Sequence, residues 1–556
     1  MADAQKTISP LNRFFRLLQP NTTEIKYLYI FSFLNGIIAL SMPLGIQAIL
    51  GIIVGGQINS SWAILLFVIG LGIIASGTLT YIQQYISEVL QRKLFARAAF
   101  DFAFRLPRLR LEVIEKQFAP ELVNRFFDVL TLQKGLPKLL IDFTNAVLQI
   151  ILGLLLLSVY NPIFLILSIF IVITLVLIIV LTSRQGLETS IYESKYKYKI
   201  VSWLEELARA VHTFKLAGDS PLPIQKTDEL LTNYLTYRKK HFRILRWQYG
   251  TFILFRALVT VALLGVGSYL VIENSINLGQ FVAAELIIIL VLTSAEKIIN
   301  TMETVYDVLT AVDKIGYVTD IPIEKNSGEV LDASFGQKGL SLRATNLNFT
   351  ATDTIDLRNI NFIINANERV AITSTGNGGG SGKSILLQII AGLYTEYTGV
   401  MAYNDITIKN LNVNSLRTYI GNFSKKETIF EGTLLHNITL GSTDLTAAQI
   451  REIVTKVGLI DFVEQLPEGL ETMLLPLGQQ LSQNMIQKIR FARALAHQPQ
   501  LLVVDNYERL QEACYPINVW DLLPANTTVV VVTNDPNIIK NCTQVFHLEN
   551  GVLTTK

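Results

Sequence analysis

Two long stretches of the chain carry no charged residue. From Tyr27 to Ser87 there are 61 consecutive uncharged positions, and from Phe143 to Ser183 another 41. A helix needs about 20 apolar residues to cross the hydrocarbon core of a bilayer, so each stretch holds two crossings joined by a tight turn. The turns are Gly55-Gly56-Gln57-Ile58-Asn59-Ser60-Ser61 and Tyr160-Asn161-Pro162. A third pair is less apolar. Tyr249–Ile272 is interrupted by Arg256, and Gly279–Ala295 carries Glu285, with a turn at Glu273–Leu278 between them. The pattern predicts six crossings, at 27–54, 62–87, 139–159, 162–183, 249–272 and 279–295. Charges inside such segments usually face a cavity or a partner. Their unequal depths argue against an Arg256–Glu285 pair.

The connections set the orientation. The three short turns contain no Lys or Arg, whereas 89–137 and 184–248 are rich in both, including Arg92, Lys93, Arg97, Arg105, Lys195, Lys239 and Arg246. The positive-inside rule then places the turns outside and both termini in the cytosol. No cleavable signal peptide is visible. Unstructured loops of such length are uncommon, and both connections keep helical apolar spacing. They are expected to be cytosolic extensions of the membrane helices, with exposed turns near Val113–Arg125 and Glu205–Gly218.

Beyond Thr319 the pattern changes. Residues 1–24 form an N-terminal segment, 25–319 the helical part, 320–339 a linker and 340–556 a polar domain. In the last, short β-branched runs occur at Leu340–Phe349, Ile360–Ile364, Val370–Thr373, Leu501–Val504 and Thr528–Val532. Helical segments lie between the later ones, which predicts an α/β domain with a partly parallel sheet.

Composition narrows the function classes. Half of the 556 residues are hydrophobic and 17% are charged, against about 25% charged in an average soluble chain. Mean hydropathy is +0.39. An ordinary soluble enzyme, a disordered chain and a disulfide scaffold are excluded. Forty-seven basic against 45 acidic residues leave +2, which gives no nucleic-acid signature. Two cysteines suit a reducing compartment, and the five scattered histidines show no metal spacing.

One run of the polar half carries phosphate chemistry. A strand-like segment leads into Gly376-Asn377-Gly378-Gly379-Gly380-Ser381-Gly382-Lys383-Ser384, and a helical segment follows. Glycines such as Gly378, Gly380 and Gly382 let backbone N–H groups turn toward phosphate, and the helix start adds a positive end. Lys383 can reach the β- and γ-phosphates, and the Ser384 hydroxyl can ligate Mg²⁺. The loop is about three residues longer than the usual Walker A motif, and Asn377 stands where its first glycine belongs. Downstream, Leu501-Leu502-Val503-Val504-Asp505 has the Walker B form, in which Asp505 would hold Mg²⁺ through water.

With these motifs the chain resembles an ABC exporter half-transporter of the peptide and type I secretion branch. The resemblance covers nearly the whole length. Leu466-Pro467-Glu468-Gly469-Leu470-Glu471-Thr472 matches the stretch ahead of the family signature, and Ile489-Arg490-Phe491-Ala492-Arg493-Ala494-Leu495 matches the helix after it. The resemblance implies a membrane α-helical fold. Its parts are a six-helix exporter transmembrane domain with long cytosolic extensions and an α/β P-loop nucleotide-binding domain for ATP and Mg²⁺.

The departures from that family are concentrated at the chemistry. The family signature Leu-Ser-Gly-Gly-Gln reads Leu481-Ser482-Gln483-Asn484-Met485 here, so side chains occupy positions where backbone amides should approach a partner's γ-phosphate. The Glu after the Walker B Asp is replaced by Asn506, which cannot accept a proton. The switch His is replaced by Asn534, the Gln of the coupling loop by Lys425, and the adenine-stacking aromatic by Ala351. These changes imply a nucleotide-binding domain with weak ATP and Mg²⁺ binding, impaired hydrolysis and no confident catalytic residue. The partners implied are membrane lipid and a second half-transporter, either an identical copy or an active paralogue, with a periplasmic adaptor as in secretion systems. The expected location is the inner membrane of a bacterium, and the expected cargo a peptide, protein or amphipathic molecule. A non-transporting scaffold or regulatory subunit is the competing reading.

Overall fold

A computed structural model describes residues 9–555 except 56–59, 116–118, 325, 332–334, 336–338, 353–354, 376–381 and 524. The chain divides into two units, Met1–Leu109 with Gln117–Pro322, and Arg110–Lys116 with Ile323–Lys556.

Among its described residues the first unit is built from six helical spans, Pro10–Val54, Ser60–Arg108, Glu121–Tyr160, Pro162–Arg209, Leu222–Ile272 and Leu278–Thr319, each long and apolar enough to cross a membrane. Even the shortest, at 40 residues, is about 60 Å long at 1.5 Å per residue, twice a hydrocarbon core of about 30 Å. The surplus is the helical extension that the charge pattern predicts. Local chemistry sets the interruptions. Pro43 lacks an N–H and its ring crowds the carbonyl four residues back, and the first span breaks at Leu40. Pro137 precedes a π-helical turn at Lys138–Phe143. Two of the three predicted turns are capped, and most of Gly55–Ser61 lies outside the described residues. Asn161 Oδ1 accepts the Ile163 N–H at 2.9 Å, and Asn277 and Gln280 form a reciprocal capping box.

Inside this unit an apolar core is fully buried at Phe164, Ile171, Val259, Ile287 and Val291. Polar side chains pin the helices within it. Gln83 donates to Ser32 at 3.0 Å and accepts from Asn145 at 3.1 Å. Gln248 donates to Thr182 at 2.5 Å and to Tyr306 at 3.0 Å. Such bonds between helices fix their rotation, because apolar surroundings offer no competing partner.

Among its described residues the second unit holds twelve strands, numbered in chain order. They are β1 (Leu342–Thr352), β2 (Ile355–Ile364), β3 (Arg369–Thr373), β4 (Thr398–Tyr403), β5 (Ile406–Thr407) and β6 (Ile420–Phe423), then β7 (Gly432–Thr433), β8 (Met473–Leu474), β9 (Leu501–Asp505), β10 (Thr528–Val532), β11 (Gln544–Glu549) and β12 (Val552–Thr555). An antiparallel sheet runs β2-β1-β4-β5, and the main sheet runs β12-β11-β3-β10-β9-β6. In the main sheet β10 is parallel to both β3 and β9, with Val532 opposite Ile372 on one side and Asp505 on the other. The loops leaving β3, β9 and β10 therefore emerge at one edge. Ligands of open α/β sheets bind beyond such carboxyl ends. The short helix Leu111–Ile114 belongs to this unit, and Leu111 packs against the cluster that holds Ile389 and Tyr394.

Candidate functional site

At that edge the structure brings together most of the residues singled out in the polar half. Gly378 and Gly380 lie outside the described residues. Gly382 caps the helix Lys383–Ile390 at φ 87°, in the left-handed region that glycine enters without strain. Ser384 Oγ donates to the buried Asp505 Oδ1 at 3.2 Å. The Lys383 ammonium donates to Ser374 Oγ. Burial holds the Lys383 pKa below the usual lysine value, Asp505 works against that, and the Lys425 charge adds to it.

Asn534 and Asn506, which the sequence reading assigns to the switch and base positions, both make local hydrogen bonds. Asn534 Oδ1 accepts the Ser374 N–H at 3.1 Å. Asn506 sits at φ 97° and ψ 77° and caps the helix Tyr507–Cys514 by accepting the Arg509 N–H at 3.0 Å. Glu508 was not singled out by sequence. It accepts from Thr533 Oγ1 at 2.6 Å and from the Asn534 N–H at 3.2 Å, tying the loop after β9 to the loop after β10. The available signal was an acidic residue in the first turn of a helix that starts at the site.

The signature segment begins another helix. Leu481 is half-buried, and Ser482 caps Gln483–Leu495 by accepting the Met485 N–H at 3.3 Å. Asn484 is exposed, and Gln483 Oε1 accepts from the Arg509 guanidinium at 3.2 Å. Lys425 is exposed and lines a cavity of about 220 Å³ with Asp505, Asn506, Gln483, Arg490 and Arg509. Glu427 also lines it, and burial pushes its carboxyl above the usual range against the pull of Arg493 and Arg490.

Arg256 and Glu285 lie in the first unit and do not meet. Arg256 pairs instead with Glu296 at 2.9 Å, and Glu285 is half-buried with no ion pair among the described residues.

Two oxygen donors, Ser384 Oγ and Asp505 Oδ1, stand together as a hard cation such as Mg²⁺ requires. The charge around them does not suit it, because Lys425, Arg490 and Arg509 face the same cavity. Among the described residues no other cluster could hold a metal.

Two family models match this chain: the ABC transporter transmembrane region over residues 26–295 and the ABC transporter domain over 357–508. The chain is similar to the alpha-hemolysin translocation ATP-binding protein HlyB of Escherichia coli O157:H7, 25% identical over 363 residues, 64% of this chain and 50% of that one. It is 28% identical over 301 residues to a putative export ATP-binding/permease protein of Rickettsia bellii, 53% of this chain and 51% of that one. An ATP-dependent lipid A-core flippase of Syntrophus aciditrophicus is 26% identical over 294 residues, 52% of this chain and 48% of the flippase. The chain thus aligns with about half the length of these relatives. In fold it matches a bacterial Atm1-family ABC exporter solved with ATP bound, at a TM-score of 0.80 and 17% identity, over 96% of this chain and 95% of that one. Six spans and a nucleotide-binding fold on a single polypeptide, each matched by its own model, show that this integral membrane chain belongs to the ABC transporter family and has the architecture of an exporter half.

Proposed function

We propose that the chain is one half of an ABC exporter whose nucleotide-binding domain holds ATP and hydrolyses it slowly or not at all, relying on an active partner half for turnover. The observation that carries this is Asn506, an amide at the base position whose oxygen is committed to the Arg509 N–H. Loss of a general base typically costs about 10²–10⁴-fold in rate. The residues at Asn534, Lys425 and Gln483–Met485 act in the same direction. A damaged signature would impair the composite site on the partner as well.

The substrate class is a peptide, protein or amphipathic molecule, supported by what the similar proteins are named for, alpha-hemolysin in one case and lipid A-core in another. The charge pattern supports a bacterial inner-membrane protein with both termini cytosolic, a membrane domain over 25–319, a linker over 320–339 and the ATP domain over 340–556. The match to the ABC transporter models supports a dimer, with an identical or a paralogous half.

The test is nucleotide binding and hydrolysis by the purified chain in nanodiscs, with subunit mass measured on the same sample. Binding with negligible turnover is expected. Turnover near ~1 s⁻¹, within the ordinary enzyme range, that requires Mg²⁺ and is abolished by Lys383→Ala would refute the reading. No binding at all would favour the scaffold or regulatory subunit.

A further inference from the structure

Strand β6 runs parallel to β9, with Phe423 opposite Val504. Neighbouring strands lie about 4.8 Å apart, so the chain leaving β6 rises beside the chain leaving β9. Two residues past that matched pair stand Lys425 on one side and Asn506 on the other, and both line the cavity that contains Asp505. The lining carries three cations, Lys425, Arg490 and Arg509, against two carboxylates.

Both carboxylates are engaged. Glu427 accepts from Asn422 at 2.8 Å and lies 3.7 Å from the Arg493 guanidinium. Asp505 accepts from Ser384. Lys425 has no ion-pair partner among the described residues, and its charge is felt at Lys383. A divalent ion held by Asp505 would share this cavity with the Lys425 ammonium, which makes no ion pair among the described residues. A triphosphate reaching this edge would meet that same ammonium, a compact point charge well suited to phosphate oxygens.

We propose that Lys425 takes the place of the divalent cation, neutralising with Lys383 the phosphates of a bound nucleoside triphosphate, so that this domain holds nucleotide as tightly without Mg²⁺ as with it. The proposal rests on the nucleotide-binding reading above.

The experiment is equilibrium binding of a fluorescent ATP analogue to the full chain in nanodiscs, in Mg²⁺ and in excess EDTA. The two dissociation constants should agree within about threefold, about 0.7 kcal/mol. Lys425→Gln should weaken binding in EDTA about tenfold or more, about 1.4 kcal/mol, and restore a dependence on Mg²⁺. Lys425→Arg should behave as the parent. Lys425 is exposed, so neither change disturbs the core. Parent binding that collapses in EDTA, or a Lys425→Gln chain as indifferent to Mg²⁺ as the parent, overturns the proposal and leaves nucleotide binding standing. Absence of binding in both media overturns both.

Discussion

Asn506 Oδ1 accepts the backbone N–H of Arg509 at 3.0 Å, and the same Arg509 donates through its guanidinium to Gln483 Oε1 at 3.2 Å. The residue at the base position is thus an N-cap, and the helix it starts is tied to the signature helix. Restoring the carboxylate alone should not restore hydrolysis. Glu is a poorer cap, at a cost of about 1 kcal/mol, and Asn tolerates the φ of 97° better than Glu does. Asn506→Glu should lower the thermal midpoint and raise ATPase by less than about tenfold, well short of what a restored base supplies. A gain of 10²-fold or more would make Asn506 the sole lesion.

Glu508 holds two donors of the loop after β10. Hydrogen bonds to a charged group are worth about 1.5–3 kcal/mol when buried, and half-exposure here reduces that. Glu508→Ala should free the loop that positions Asn534 against Ser374, weakening ATP-analogue binding about three- to tenfold. Unchanged affinity would show that Ser374 and Lys383 are held by other means.

The helix Leu111–Ile114 is joined to its unit by carboxylates. Glu112 accepts the Thr395 N–H at 2.9 Å, Glu115 accepts from Tyr394 and pairs with Lys426, and Arg110 pairs with Glu396 at 2.9 Å. Because the chain enters this unit at Arg110 and leaves at Lys116, replacing both Glu112 and Glu115 by Ala should leave nucleotide affinity within about twofold and abolish ATP-induced hydrogen-exchange protection in the spanning helices. Protection that persists would sink a coupling role for these contacts.

Gly186 permits a close approach between two spans. A Cβ there would lie 2.5 Å from Tyr306 Cζ, and Tyr306 also accepts from Gln248. Gly186→Ala should destabilise the helical unit by about 1–3 kcal/mol, as overpacking does. Thermal unfolding in detergent reads this, and the nucleotide-binding unit should be unaffected.

Cys514 is buried, and burial pushes both the Cys514 and the Cys542 thiol up to about 11. A raised thiol pKa keeps the neutral form dominant below it, so at pH 8 the reactive thiolate is about a thousandth of the population. Native protein should react slowly with a disulfide reagent at pH 8 and faster as the pH approaches 11, with full reaction after denaturation. Rapid stoichiometric labelling of Cys542 at pH 8 would contradict its local burial.

The sequence by itself determined the six helical spans, the α/β domain after them and the helix that starts at Lys383 after a glycine-rich run. Each of these depends on local properties: the length of an uncharged run, a proline or asparagine at a turn, a glycine-rich segment between a β-branched run and a helix. Asn506, Asn534 and Lys425 were singled out as readily, because each is one residue at a fixed offset from a motif. What those residues do was decided by tertiary structure alone. Ser384 meets Asp505 across 121 positions because β9 and β3 flank β10 in one parallel register. Arg256 finds Glu296, 40 positions away, rather than Glu285, since partners across helices depend on rotation and depth together. Asn506 becomes a cap through a backbone angle that no pattern encodes, and Glu508 gains its role from a strand paired far along the chain. Apolar periodicity is set by neighbours three or four residues away, whereas hydrogen bonds and charges are settled by whichever strands and helices the packing brings side by side.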